Sequence, residues 1–128
     1  MSVLGSDPER FRCDGVTVVH LEGEIDIATA EGVFTRLTAA ARESCTVVDL
    51  TAVEFIDASG VNVLVRSSRI ATGARHHLMF ASPPRQLRRI LDVLNLDGVL
   101  STHADAVAAS AAHAAGVPCT DVLPPRPR

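Results

Sequence analysis

The residues in this sequence that are best suited to regulated chemistry surround a single serine. Ser59 is followed by Gly60, preceded by Asp57 and Ala58, and stands between an apolar run and a longer amphipathic segment. At the start of a helix the first backbone N–H groups lack partners and the helix dipole favours negative charge. A phosphate on Ser59 would be tolerated at such a position. A serine that simply begins a helix has the same local sequence, and taken alone the pattern favours that interpretation over a phosphorylation site.

Composition excludes several other kinds of chemistry. The chain of 128 residues has a formal net charge of −3, and all 12 of its lysine-plus-arginine residues are arginine. Without a basic patch we expect no nucleic-acid partner, and without lysine the chain lacks a residue that phosphoaspartate receivers need. No apolar run approaches the roughly 20 residues of a membrane span, and residues 1–10 lack the pattern of a secretory signal. We therefore expect a cytoplasmic protein without a membrane partner.

The cysteines and histidines show no metal-binding pattern in the sequence. Cys13, Cys45 and Cys119 are odd in number and widely spaced, so we expect reduced thiols rather than a disulfide framework. His76 and His77 are adjacent, and on a strand they would face opposite sides and could not bind one metal ion together. The sequence also shows no pairing of a nucleophile with a base and no phosphate-binding loop. It therefore predicts no metal, no cofactor and no enzymatic activity.

Hydrophobic periodicity predicts strands that alternate with helices. The predicted strands cover residues 16–22, 46–50, 75–81 and 98–100, with an additional hairpin strand at 9–13. The predicted helices cover residues 28–42, 61–73, a segment opened by Ser82-Pro83-Pro84, and an alanine-rich segment ending near residue 115. This order implies an α/β fold. We expect one domain over residues 1–115, followed by a flexible proline-rich tail over residues 116–128.

Finer details of the predicted elements bear on the site. Residues 51–57 are expected to form a connection that leads from the second strand to Ser59. Thr29, Asp57 and Ser82 are candidate helix N-caps, and Asn95 is suited to the left-handed conformation that ends a helix. The third helix is expected to bury a stripe formed by Leu87, Ile90, Leu91 and Leu94 and to expose Arg85, Arg88 and Arg89.

Two segments, taken together, resemble a known family. Gly23-Glu24-Ile25-Asp26 ends the first predicted strand, and Asp57-Ala58-Ser59-Gly60 joins the second strand to the second helix. In this order and spacing, and followed by Ser82-Pro83 and residues 87–96, they resemble the STAS domain family, which includes the anti-sigma factor antagonists. The resemblance covers about residues 9–115. It implies a STAS-type α/β sandwich, with a central mixed sheet of about four to five strands and about four helices.

The resemblance also implies a function and a role for Ser59. Ser59 would be phosphorylated by an anti-sigma factor with serine kinase activity and dephosphorylated by a serine phosphatase. The unphosphorylated chain would bind the anti-sigma factor and release a sigma factor. Asp26 and Asp57 match acidic positions that flank the serine in the family. Ala58 and Asn62 depart from it, since many relatives carry serine or threonine at the first position and a small residue at the second.

The remaining residues of the predicted site admit two interpretations each. Gly60 either lets a partner's backbone approach Ser59 or eases a tight strand-to-helix turn. Val63, like Ile70, either forms a partner-facing apolar patch or belongs to a broad buried helix face. The protein is expected to be a monomer or a weak dimer. The alternative function is that of a STAS scaffold or a transporter-associated subunit that is not phosphorylated.

Overall fold

Four strands and four helices alternate along the part of the chain that the structure describes. The structure is a computed structural model that describes residues 16–96 and 98–115. The elements are β1 (Thr17–Ile25), α1 (Ala30–Glu43), β2 (Thr46–Ile56), α2 (Ala58–Gly73), β3 (Leu78–Ala81), α3 (Arg85–Val93), β4 (Ser101–His103) and α4 (Ala106–Ala115). The predicted hairpin strand at 9–13 and the predicted tail at 116–128 lie outside the described residues.

The strands form one sheet in which every neighbouring pair is parallel. Their order in the sheet is β1-β2-β3-β4, which is also their order along the chain. Parallel neighbours need a crossover connection, and the helices α1, α2 and α3 provide one for each successive pair. The predicted α/β fold is confirmed. Within residues 16–96 and 98–115 the sheet is parallel rather than mixed.

The central strand β2 is longer than the sequence predicts. It pairs with β1 from Thr17↔Thr46 to Ile25↔Ile56 and also with the shorter strand β3. Val47 and Val48 point to opposite faces and are both fully buried, which explains the continuous apolar run at the start of the strand. The predicted connection at residues 51–57 is wrong up to Ile56, because β1 continues alongside and supplies hydrogen-bonding partners.

The two faces of the sheet bury two apolar clusters. The larger cluster holds Val48 and Phe80 from the sheet together with residues of α1, α2 and α3. The smaller cluster holds Val47 and Met79, which pack with Ala109 of α4. Adjacent strand residues fall into different clusters because side chains alternate between the two faces. Helix α4 therefore covers the face opposite to the other three helices.

Across the described ranges, no helix combines the length and the apolar character that a membrane crossing requires.

A polar pair links β1 to β2 on the sheet surface. Asp49 of β2 accepts from the hydroxyl of Thr51 at 2.6 Å and from its backbone N–H at 3.0 Å. Its second carboxylate oxygen lies 3.0 Å from Nδ1 of His20, its register partner on β1. The Thr51 hydrogen bonds first, and His20 to a lesser extent, lower the pKa of Asp49 below its ordinary value.

The connection between α2 and α3 differs from the prediction for local reasons. β3 begins at Leu78 rather than at residue 75, because the chain leaves α2 through Arg75, whose φ of 67° is left-handed. The predicted N-cap role of Ser82 is wrong. Pro84 is the residue that precedes α3, and the hydroxyl of Ser82 donates to the carbonyl of Ala104 at 3.2 Å.

The last strand begins later than predicted, and an aspartate caps the last helix. The predicted strand at residues 98–100 is wrong, and β4 covers Ser101–His103, where it pairs with β3. Asp105 precedes α4, and its Oδ1 accepts from the backbone N–H of Ala108 at 2.8 Å, as an N-cap does. The predicted left-handed conformation of Asn95 after α3 is confirmed by its φ of 60°.

Candidate functional site

The two segments that the sequence singles out meet at one edge of the sheet. β1 and β2 end opposite each other, at the pair Ile25↔Ile56, and Asp26 and Asp57 follow directly. The backbone N–H of Asp57 donates to the carbonyl of Ile25 at 3.3 Å. The carboxyl edge of a parallel sheet is where open α/β folds place their sites. Here this edge positions the start of α2.

Asp57 caps the N-terminus of α2. Its backbone is extended, with φ −116° and ψ −170°, and its Oδ1 accepts from the backbone N–H of Gly60 at 3.1 Å. Its carbonyl accepts the first helical hydrogen bond, from Val61 at 3.0 Å. Such a cap stabilises a helix typically by about 1 kcal/mol. Asp57 thus fixes where α2 begins and makes Ser59 its second helical residue.

Asp26 organises the turn that leads from β1 into α1. Its Oδ1 accepts from the backbone N–H groups of Ala28 at 3.0 Å and Thr29 at 3.2 Å. The predicted cap Thr29 precedes α1, but its side chain makes no capping hydrogen bond and donates instead to the carbonyl of Glu24 at 2.8 Å. Thr29 thus occupies the predicted N-cap position but does not cap the helix with its side chain. Asp26 instead accepts hydrogen bonds from the N–H groups of this turn.

The surface around Ser59 includes only part of the predicted set. Ser59 is half-buried in the first turn of α2, and Ala58 and Asn62 beside it are exposed. Val63 is buried, with 1% of its surface exposed, because its side chain packs inside the molecule. Of its two interpretations, the buried face therefore applies and the partner-facing patch does not. Ile70 is half-buried.

Gly60 forms a close contact between α2 and the end of β1. A Cβ at this position would lie 2.7 Å from Cγ1 of Ile56 and 2.9 Å from Cγ2 of Ile25, and it would also collide with the carbonyl oxygen of Ile25. Contact between carbon atoms is favourable only at about 3.5–4.0 Å. Packing within the chain therefore requires glycine here, which favours the tight-turn interpretation over approach by a partner's backbone. The contact sets the first turn of α2 against the residue that precedes Asp26.

An apolar groove opens beside the first turn of α2. It has a volume of about 500 Å³ and lies between the junction of β2 with α2 and the helix α3. Its lining residues are Phe55, Ile56, Asp57, Ala58, Gln86, Arg89, Ile90, Val93 and Leu94. Val93 is 78% exposed, Leu94 51% and Phe55 39%. Gln86 holds the two walls together, since its Oε1 accepts from the backbone N–H of Ile56 at 3.1 Å.

The sequence does not reveal this groove. The predicted stripe of α3 places Leu94 in the core, but only Leu87 and Leu91 of that stripe are buried. Arg85, Arg88 and Arg89 are exposed as predicted, and Arg89 also lines the groove. The available signal is the apolar residue Val93 next to Leu94, because it extends the apolar surface of α3 beyond the stripe. Val93 and Leu94 form a groove only together with Phe55 of β2. No local sequence pattern connects Phe55 to α3.

A known domain matches the part of the chain that holds this site. The model of the STAS domain matches residues 8–109, which is most of the 128-residue chain. The chain belongs to the STAS domain family. The family membership that the two segments predict is thereby confirmed. The matched range includes the turns of Asp26 and Asp57, the helix α2 and the groove.

Solved structures with the fold of this STAS domain include anti-sigma factor antagonists. An anti-sigma-factor antagonist domain protein from Planctomyces limnophilus is 21% identical, with a TM-score of 0.70 over 80% of this chain and 93% of that chain. A candidate anti-sigma factor antagonist from Thermotoga maritima is 22% identical, with a TM-score of 0.61 over 72% and 83% of the two chains. The antagonist SpoIIAA of Bacillus, in its unphosphorylated form, is 16% identical, with a TM-score of 0.58 over 78% and 89%. At these identities the likeness shows the shared fold. No curated protein matches the sequence significantly.

Replacing Gly60 with alanine should destabilise this STAS domain, because the new Cβ would overlap with Ile25 and Ile56. We expect the free energy of unfolding to fall by about 2–3 kcal/mol, as measured by chemical denaturation. Gly32 in α1 has no atom within 4 Å of the position that a Cβ would take. Gly32→Ala is therefore the matched control and should be neutral or stabilising by up to about 1 kcal/mol. A Gly60→Ala variant as stable as the wild type would contradict the packing role.

Proposed function

We propose that this STAS domain is an anti-sigma factor antagonist whose binding is switched off by phosphorylation of Ser59. In its unphosphorylated state it binds an anti-sigma factor that has serine kinase activity and thereby releases a sigma factor. The observation that carries the proposal is the position of Ser59, half-buried in the first turn of α2 beside an acidic cap and an apolar groove. Family membership supports it, as does the fold shared with SpoIIAA, which has been solved in unphosphorylated and phosphorylated forms.

The chain supplies the acceptor, and its partners supply the catalysis. In the transfer, the oxygen of Ser59 bonds to the γ-phosphorus of ATP, the bond to ADP breaks, and the hydroxyl proton passes to a base of the kinase. A serine phosphatase then transfers the phosphoryl group to water and restores the hydroxyl. The STAS domain itself contributes no catalytic residue and no cofactor to either reaction. Both partners act in the cytoplasm.

The N-terminus of α2 can carry a phosphate without unfolding. The first N–H groups of a helix and the helix dipole favour negative charge, and Asp57 already uses the N–H of Gly60 in this way. A phosphate on Ser59 adds about −1.5 to −2 charges at pH 7. Because the same helix end stabilises that charge, the switch needs no large conformational change.

The added charge acts against a partner that fits the neutral surface. Backbone N–H groups hold the carboxylate of Asp57 at the start of α2 and that of Asp26 in the turn after β1, whose end lies beside the end of β2. An interface that covers the neutral hydroxyl of Ser59 provides no countercharge for a phosphate. Burying the phosphate would then cost desolvation energy and add repulsion between like charges. Phosphorylation therefore lowers the affinity for the anti-sigma factor.

The groove provides the apolar contact area of this interface. Phe55, Val93 and Leu94 are exposed apolar side chains, and the groove that they line also includes Ala58, the residue before Ser59. Protein interfaces place apolar and aromatic residues at a water-excluded centre and polar residues at the rim. We assign the groove to the centre of the interface with the anti-sigma factor and Ser59 to its rim.

Incubation with the cognate anti-sigma kinase and ATP should add one phosphoryl group to the wild-type protein and none to Ser59→Ala. Intact-protein mass spectrometry measures the gain. Ser101→Ala removes another serine hydroxyl, on the exposed strand β4, and this control variant should be phosphorylated like the wild type. No gain in the wild type, or a gain that survives Ser59→Ala, would refute the switch and leave a STAS module that binds without phosphorylation.

Ser59→Asp should weaken binding of the anti-sigma factor by at least about tenfold, which corresponds to about 1.4 kcal/mol. The reason is that a permanent negative charge replaces the neutral hydroxyl at the rim of the interface. Ser101→Asp adds the same charge on β4 and should bind like the wild type. Calorimetric titration measures both affinities, and circular dichroism checks that both variants are folded. Equal affinities of the two folded variants would count against a charge-operated switch at Ser59.

Val93→Asp should also weaken binding of the anti-sigma factor by at least about tenfold, because it places a charge in the apolar groove. Val107 on α4 is the matched control, since both valines are 78% exposed and both lie on helices. Val107→Asp should leave the affinity unchanged, and neither exposed substitution should lower the melting temperature appreciably. If Val93→Asp bound as tightly as Val107→Asp, the groove would not be the interface.

A further inference from the structure

A cluster of three potential metal ligands lies at the edge of the sheet opposite to Ser59. Cys45 precedes β2, His77 precedes β3, and His113 lies on α4. The sulfur of Cys45 and one ring nitrogen of each histidine all lie within 4.8 Å of one another. Cys45 and His113 are buried, with 2% and 6% of their surfaces exposed, and His77 is half-buried. Three metal-binding groups therefore converge where water has little access.

Backbone pairing fixes two of these residues relative to each other. The backbone N–H of His77 donates to the sulfur of Cys45 at 3.2 Å, and the carbonyl of His77 accepts from the N–H of Thr46 at 2.9 Å. These hydrogen bonds lie where β2 and β3 begin to pair, so Cys45 and His77 cannot separate without opening the sheet. Cysteine binds metals through the same sulfur atom, as the thiolate.

The helix α4 brings the third residue to the same place. Ala109 of α4 is fully buried against the sheet, and His113 follows it by about one helical turn. The rings of His113 and His77 are 5.0 Å apart at their centroids, with an interplanar angle of 72°. The neighbouring His76 points elsewhere, since its Nδ1 is hydrogen-bonded to the carbonyl of Ala41.

Two distances in the cluster agree with those of a tetrahedral metal site. With metal–sulfur bonds of about 2.3 Å and metal–nitrogen bonds of about 2.0–2.1 Å, sulfur and nitrogen ligands lie about 3.5 Å apart. The sulfur of Cys45 lies 3.6 Å from Nδ1 of His77. Two imidazoles bound to one such ion have ring centroids about 5 Å apart, and the rings of His77 and His113 are separated by 5.0 Å.

We propose that Cys45, His77 and His113 form a binding site for one Zn²⁺ ion. A thiolate with two imidazoles suits Zn²⁺, whereas Mg²⁺ and Ca²⁺ prefer oxygen ligands. Three protein ligands leave the fourth tetrahedral position to water or a small anion. The bound ion joins the starts of β2 and β3 to α4, so it stabilises the contact of α4 with the sheet.

This site is independent of the proposed phosphorylation switch. The 11 residues of β2 separate Cys45 from Asp57, which corresponds to roughly 35 Å along an extended strand. Zinc binding should therefore be the same for Ser59→Asp and the wild type. Failure of either proposal leaves the other unaffected.

Titration of the reduced, metal-free full-length protein with Co²⁺ tests the site. We expect saturation at one equivalent, with the thiolate-to-cobalt charge-transfer band and the intense visible bands of tetrahedral cobalt, and displacement of Co²⁺ by Zn²⁺. Addition of Zn²⁺ should raise the melting temperature, because an ion that binds only the folded state stabilises it. Cys45→Ser should abolish the charge-transfer band. His77→Gln and His113→Gln should each weaken binding at least about tenfold.

The controls separate this site from other thiols and histidines. Cys13→Ser/Cys119→Ser leaves Cys45 as the only thiol and should bind one equivalent with the same spectrum, and so should His20→Asn. X-ray absorption on the zinc-loaded wild type needs no substitution and should show one sulfur ligand at about 2.3 Å with the remaining ligands nitrogen or oxygen. Absence of saturable binding, loss of binding in Cys13→Ser/Cys119→Ser, or a zinc ion without sulfur would each overturn the proposal.

Discussion

The parallel pairing of β1 with β2 as far as their common end is the constraint on which the Ser59 site depends. Because the pairing persists to Ile25↔Ile56, Asp26 and Asp57 follow the two strands at the same end of the sheet. The absence of a side chain at Gly60 then allows the first turn of α2 to contact the end of β1. Backbone register and backbone packing thus determine where the hydroxyl of Ser59 lies. In the proposed mechanism, the partner therefore binds a surface that is already fixed in the folded chain.

The two aspartates at this edge, Asp26 and Asp57, have a structural role in the fold. Asp57 accepts from the N–H of Gly60 and Asp26 from those of Ala28 and Thr29. None of these bonds involves the hydroxyl of Ser59, so they do not depend on it. The two carboxylates therefore form a fixed electrostatic background in the folded chain. In the proposed mechanism the phosphate is the variable charge, and the fixed carboxylates determine that its addition concentrates negative charge at the rim of the groove.

The sequence predicts those features of the fold that depend on neighbouring residues. The α/β order follows from periodicity, the helical nature of α2 from the length of its segment, and the cap at Asp57 from the chemistry of helix starts. The second half of β2 could not be predicted in this way, because its mixture of polar and apolar residues becomes a strand only beside β1. Ser82 shows the same limit. Its position before two prolines predicts a cap, but its left-handed φ of 56° turns the hydroxyl towards Ala104, which is distant in sequence.

The histidines show how an argument from neighbouring residues can overlook a cluster that the fold assembles. His76 and His77 do point to different partners, Ala41 for the first and Cys45 for the second, so they cannot share one ion. The sequence does not show that strand register brings Cys45 to His77 or that the packing of α4 brings His113 to both. In a parallel sheet all strands begin at one edge and end at the other. The residues before the strands and those after them therefore lie in separate places on one scaffold, and the chemistry of each edge can differ between proteins that share this fold.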